Sequence, residues 1–129
     1  MNLFLRFWSS TVGCKVVMAI TGIFMVLLLV GHLAGSLALY AGRDATNAYA
    51  LALKQMPGPL WAARIGLLTL LAIHLTAALR LWVLNRAARP VAYAAKKSIQ
   101  STAASRSMML NGSLVLAYIV YHLLHFTLG

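Results

Sequence analysis

Carboxylates are almost absent: Asp44 is the single acidic residue, set against eleven lysines and arginines. That excludes chemistry built on a pair of carboxylates and leaves a formal net charge of +10. Charge of either sign is scarce. Only 9% of the 129 residues are charged, where a soluble domain carries about a quarter. With 62% hydrophobic residues and a mean hydropathy of +0.85, the chain cannot make a wet surface and belongs in a membrane. Cys14 is the lone cysteine, so no disulfide can form within the chain and cysteine usage says nothing of the redox compartment. The positive charge suits membrane phosphates or an acidic partner. No aromatic–basic motif accompanies it, so nucleic acid is not an expected partner. A cleavable signal peptide is not expected either. The first apolar run is longer than a signal core and lacks a small-x-small end.

What is present is three long apolar stretches, about Val16 to Ala41, Leu60 to Leu84 and Met108 to Leu128. Each reaches the roughly 20 residues that cross a bilayer as a helix. The expected fold is therefore an all-α membrane protein, a single domain with three transmembrane helices in a bundle. Arg64 and Arg80 fall inside the second stretch and can snorkel from near its ends. Arg80 can alternatively point inward to an anion. The first connection carries Gly42, Pro57, Gly58 and Pro59, which reads as a loop with a short helix at Ala45–Leu53. Pro90 stops the second helix. The stretch Ala94–Ser105 reads as a solvated loop or surface helix. Phe4, Phe7 and Trp8 beside Arg6 read as an interfacial anchor over Met1–Cys14. Arg86, Arg89, Lys96, Lys97 and Arg106 crowd the second connection, against Arg43 and Lys54 in the first. The positive-inside rule then puts the N-terminus and second connection in the cytoplasm and the C-terminus outside. Tyr40, Trp61, Trp82 and Tyr93 fall where aromatic belts belong.

Each apolar stretch holds a histidine: His32, His74 and His122. An imidazole in hydrocarbon is costly unless its nitrogens are used, so each is a functional candidate by default. Counted along a helix from the nearest cytoplasmic cation, His32 lies about 25 Å deep, His122 about 24 Å and His74 about 18 Å. The first two match in depth and run in the same direction, so they can ligate one metal from opposite sides. His74 is expected roughly one turn nearer the cytoplasm. Two imidazoles on facing helices are a way for a bundle to hold haem iron. Gly31 and Gly35 bracket His32 as a small-xxx-small pair, which permits close helix packing or a flat ligand. Ala77 and Ala78 offer a similar gap beside His74, and Arg80 is placed to meet a propionate. The plainer reading is that each histidine bonds a neighbouring helix. His125, nearer the outer end, reads as structural or interfacial.

The order and spacing of several motifs carry a resemblance. Ser9-Ser10-Thr11-Val12-Gly13-Cys14-Lys15 leads into a helix bearing Val30-Gly31-His32. Ala63-Arg64-Ile65-Gly66-Leu67-Leu68 precedes His74, and Asn85-Arg86-Ala87-Ala88-Arg89-Pro90 follows it. The third span closes on Val120-Tyr121-His122-Leu123-Leu124-His125-Phe126. Over nearly its whole length the chain resembles the b558 family of succinate dehydrogenase/fumarate reductase cytochrome b subunits. The resemblance implies a haem-binding anchor in the bacterial cytoplasmic (inner) membrane. It would pass electrons between an iron–sulfur subunit, itself paired with a flavoprotein, and a membrane quinone, usually menaquinone. It implies His32 and His122 as axial ligands of an outer haem b, and His74 as one ligand of an inner haem b. Members have five helices and a fourth ligand on the fourth. This sequence ends after the third, so the inner site is expected to be incomplete within it. A fragment, a second polypeptide supplying the missing helices, or assembly of the outer haem alone would each account for that. Members also use an acidic residue near the quinone, a role not carried over to Asp44. The competing expectations are a non-redox three-helix scaffold or assembly subunit, and a truncated product without haem.

Overall fold

A computed structural model describes residues 2–91, 94–95 and 99–128. Tyr93, Lys96 and Lys97, assigned above to the belt and the basic connection, lie outside the described residues. The chain is 87% helical, with no strand among the described residues. Helix α1 (Leu3–Ser9) leads into α2 (Thr11–Ser36), which continues as a 3-10 turn, Leu37–Ala41. Then come α3 (Arg43–Lys54), α4 (Pro57–Ala87) and α5 (Ala103–Leu123), the last closing in a π turn at Leu124–Leu128. Three segments are long and apolar enough to cross a membrane: Thr11–Ala41, Pro57–Ala87 and Ala103–Thr127.

All three helices begin earlier than their apolar runs, and caps explain two of them. The Ser10 hydroxyl accepts from the Gly13 N–H at 2.9 Å, starting α2 before Lys15. Thr102 does the same for Ser105 at 3.2 Å, starting α5 before Arg106. In α4 the prolines expected in the loop, Pro57 and Pro59, occupy the first turn. There the missing N–H would have had no intrahelical partner, and the fixed φ suits a helix. Hydropathy marks the part of a helix that meets lipid, whereas caps mark where the backbone starts to turn. Helix α3 fulfils the expected short helix, with Asp44 in its first turn and Lys54 in its last, matched to the helix dipole. Gly42 precedes it at φ +99°, a conformation that favours glycine.

The chain divides into two compact units, Met1–Pro90 and Val91–Gly129. In the first unit α2 packs along α4. Cys14, Ala77 and Leu81 are buried against one another, with Val17 and Met18 packed beside them. At the next level Thr21 meets His74. Those pairings fix an antiparallel register in which Lys15 lies level with Arg80. Helix α1 folds tightly onto the start of α2: a Cβ on Gly13 would overlap the Phe7 carbonyl, and the Cys14 thiol points to the Trp8 carbonyl at 3.4 Å. Most large apolar side chains of both units are exposed, from Ile20, Phe24 and Leu27 on α2 to Leu114 and Val115 on α5. Water could not tolerate faces this long; lipid can.

Two arginine–tryptophan pairs mark the ends of α4. The Arg64 guanidinium lies 5.3 Å from the Trp61 ring centre, and that of Arg86 4.9 Å from Trp82. Trp61 and Trp82 are 21 residues apart, about 31 Å of helix, which equals the hydrocarbon thickness of a bilayer. That spacing suits the expected belt positions of Trp61 and Trp82, with Arg64 beside the first.

Candidate functional site

His74 lies on the face of α4 that meets α2. Its Nδ1 is 2.9 Å from the Thr21 hydroxyl, and a Cβ on Gly22 would meet its Cε1 at 3.6 Å. The ring therefore lies over a glycine and is held edge-on by a threonine. Thr21 is only 5% exposed, so this polar pair is sealed within the helix contact.

The direction of the bond follows from proton counting. Thr21 Oγ1 also lies 2.7 Å from the Val17 carbonyl, with the Met18 carbonyl at 3.3 Å. A carbonyl cannot donate, so the single hydroxyl proton is committed to Val17. Thr21 must then accept from His74. That places the imidazole proton on Nδ1 and the lone pair on Nε2. Nε2 has no hydrogen-bond partner among the described residues. A neutral imidazole with Nδ1–H anchored and Nε2 open is the form in which histidine binds iron.

Arg80 lies six residues further along α4, about 9 Å of helix. Its Nη2 donates to the Ser9 carbonyl at 3.5 Å, the long limit of a hydrogen bond. Its Nε is buried with no hydrogen-bond partner. The residue is only partly buried, and its one long hydrogen bond leaves guanidinium donors for an anion.

The other candidates are placed differently. His32 is exposed on α2, eleven residues beyond Thr21, or about 16 Å along the axis. His74 and His32 therefore stand three turns apart, not the one turn expected. The expectation took Lys15 and Arg86 as equal depth marks, but Lys15 is level with Arg80. Measured from Trp82, His74 lies about 12 Å in and His32 about 28 Å in, close to the Trp61 belt. Gly31 has open space where a side chain would stand. Gly35 does not: the Tyr49 hydroxyl of α3 fills its recess, with ring carbon Cζ 2.9 Å from where a Cβ would sit. The gap expected at Ala77 is filled as well, because that methyl is fully buried with Cys14 and Leu81.

In the second unit His122 stands between two aromatic rings on one face of α5. Tyr118 is 5.9 Å away, one turn before it, and Phe126 is 5.0 Å away, one turn after. His125 stacks instead on Tyr121 at 5.8 Å, with the rings 6° from parallel. Phe126 also meets the His125 ring edge-on at 4.6 Å, so the two histidines share that aromatic neighbour.

Thr21 and Gly22 escaped the sequence reading. Their signal was a hydroxyl next to a glycine inside an otherwise apolar span, which becomes meaningful only when the opposite helix puts a histidine there. Among the described residues no three metal-ligating side chains cluster, a grouping that two-histidine haem ligation does not need. No family model matches the chain, and neither a curated protein nor a solved structure does.

Proposed function

We propose that this chain is the haem b-binding membrane anchor of a succinate:quinone oxidoreductase, a succinate dehydrogenase or fumarate reductase. The observation that carries the reading is His74, anchored through Nδ1 by Thr21 with Nε2 open, inside a membrane-spanning helix pair. The three histidines on three candidate spans support it, as does the resemblance in motif order. The residues fit a haem group on donor chemistry. Imidazole nitrogens at His32, His74 and His122 would hold its iron, Gly31 leaves open space beside His32, and partly buried Arg80 would offer guanidinium donors to a carboxylate. Bound there, haem would supply one-electron chemistry at potentials set by ligand and burial.

The chain's own part is positional. His32, level with the Trp61 belt, and His122, on the second unit, would each offer a nitrogen to haem iron. His74 would hold a second haem about three turns closer to the basic end, with its other ligand supplied by a further helix. Two levels on one helix pair make a path across the membrane from a cytoplasmic iron–sulfur subunit, paired with a flavoprotein, to a quinone such as menaquinone. The basic connection, cytoplasmic by the positive-inside rule in a bacterial inner membrane, suits docking of that partner.

The test is a visible spectrum of the detergent-purified full chain. A dithionite-reduced b-type band is expected, lost or halved in His32→Ala, His122→Ala and His74→Ala. A stable preparation without any haem band sinks the proposal. One observation favours the competing scaffold reading: the Thr21–His74 bond already joins two helices, as histidine glue would. Such bonds contribute about 0.6 kcal/mol and at most about 1.7. The spectrum separates the readings, since glue binds no iron.

A further inference from the structure

We infer that Thr21 is a positioning residue for His74: it fixes the imidazole as the Nδ1–H tautomer and, when iron is bound at Nε2, sets the strength of that ligand. The redox half of this inference rests on the haem reading above; the tautomer half does not.

The Thr21 hydroxyl has one proton to donate. The 2.7 Å contact with the Val17 carbonyl commits it, since two oxygens so close without a hydrogen between them would repel. Oγ1 can then only accept from Nδ1 at 2.9 Å. The arrangement is rigid on both sides. Thr21 is buried and β-branched, held by its own helix turn. The His74 ring is backed by Gly22, which lacks the side chain that would push it away. Rotation of the ring to expose Nδ1 would break a hydrogen bond in a region with no water to replace it.

The choice of acceptor has a consequence. An acceptor on the far nitrogen makes an imidazole a better electron donor to a metal and stabilises the oxidised ion. A neutral hydroxyl already committed as a donor does this moderately, and less than a carboxylate would. Thr21 therefore holds the His74 iron between two extremes, an unsupported imidazole and one drawn towards imidazolate. No carboxylate on either helix of this pair can take its place, because Asp44, the chain's one acid, lies on α3.

Two measurements test this. In the full-length chain with 15N-labelled histidine, in bilayers and without haem, the His74 resonances should report protonated Nδ1 and bare Nε2. Thr21→Val, nearly isosteric but unable to accept, should yield a tautomer mixture; Thr21→Ser should restore the wild-type pattern. A wild-type His74 protonated at Nε2 overturns the inference, whatever the chain's function. In membranes that carry the haem-loaded full chain, redox titration of the His74 haem should show a higher potential in Thr21→Val. A tenfold loss of preference for the oxidised state corresponds to a rise of about 59 mV for one electron. Thr21→Ser should stay near wild type. Haem present with an unchanged potential in Thr21→Val overturns the tuning role and leaves the haem reading standing. Haem absent from the wild type overturns the haem reading, while the resonance pattern still decides the tautomer. If Thr21→Val fails to fold, the wild-type tautomer and the serine variant still decide.

Discussion

The two ends of the α2–α4 pair are built on opposite plans. At the Trp82 end the contact is closely filled. Gly13 abuts the Phe7 carbonyl, Cys14 is sealed by Ala77 and Leu81, Arg80 reaches Ser9, and Thr21 grips His74. At the Trp61 end the pair is loose. His32 is exposed, Gly31 faces open space, and the one filled recess, at Gly35, holds a tyrosine from the surface helix α3. Two histidines in similar hydrophobic runs thus have unlike surroundings. His74 sits in a finished socket, with its tautomer already chosen. His32 is exposed, next to a glycine whose Cβ position meets nothing. Helix packing alone cannot stabilise both ends equally, so the tight end should hold the pair together and the open end should accept a ligand.

The contrast predicts a gradient of mutational cost. The largest effect belongs to Gly13→Ala. The added methyl collides with backbone, which cannot swing aside as a side chain would, and the α1–α2 joint must open. A loss of about 1–3 kcal/mol is expected, as for other overpacking, read as a lower midpoint of unfolding in detergent. Ala77→Leu comes next. Its extra carbons enter the sealed contact with Cys14 and should force α2 and α4 apart. Cys14 then serves as a reporter: inert to a maleimide in the native chain, it should label in this variant. A variant of unchanged midpoint and unlabelled thiol would show that the tight end is not tight.

A smaller effect is expected where the obstacle can move. Gly35→Ala would press on the Tyr49 ring, which can rotate away with α3. The cost should fall to about 1 kcal/mol and vanish in Gly35→Ala/Tyr49→Ala. That coupling is what a double-mutant cycle measures for residues in contact. Equal cost in the single and double variants would place Tyr49 elsewhere.

These distinctions were only partly legible in the residues. The three spans follow from hydropathy because lipid demands uninterrupted apolar helix. Trp61, Trp82 and the snorkelling Arg64 follow from belt chemistry. The register of α2 on α4 did not follow. A charged residue marks depth only if its side chain goes straight to water, and Arg80 lies level with Lys15, so counting from Arg86 put His74 two turns too close to His32. Thr21 was hidden for a related reason: a hydroxyl in a helix can always bond its own backbone, and only the opposing helix shows that its oxygen has a second task. Gly35 was legible as a close-approach site but not as one for α3. An amphipathic surface helix shows in sequence which residues are apolar, not which recess they reach.

The smallest effect on stability falls at Gly31, and it tests the open end most directly. Nothing lies within 4 Å of a side chain added there, so Gly31→Ala meets no obstacle. Alanine is also better than glycine inside a helix by about 0.8–1.0 kcal/mol. The midpoint of unfolding should hold or rise slightly, opposite in sign to Gly13→Ala at the other end. A bulkier residue separates packing from ligand space. Gly31→Phe should leave the unfolding midpoint near that of Gly31→Ala if the space open at the Cβ extends as far as a ring reaches. If the space beside His32 belongs to a flat ligand, the same substitution should remove the His32-linked haem band and spare the His74-linked one. A large fall in midpoint would mean that another helix, not a ligand, fills the space. Loss of neither stability nor haem would mean that the ligand approaches His32 from a different side.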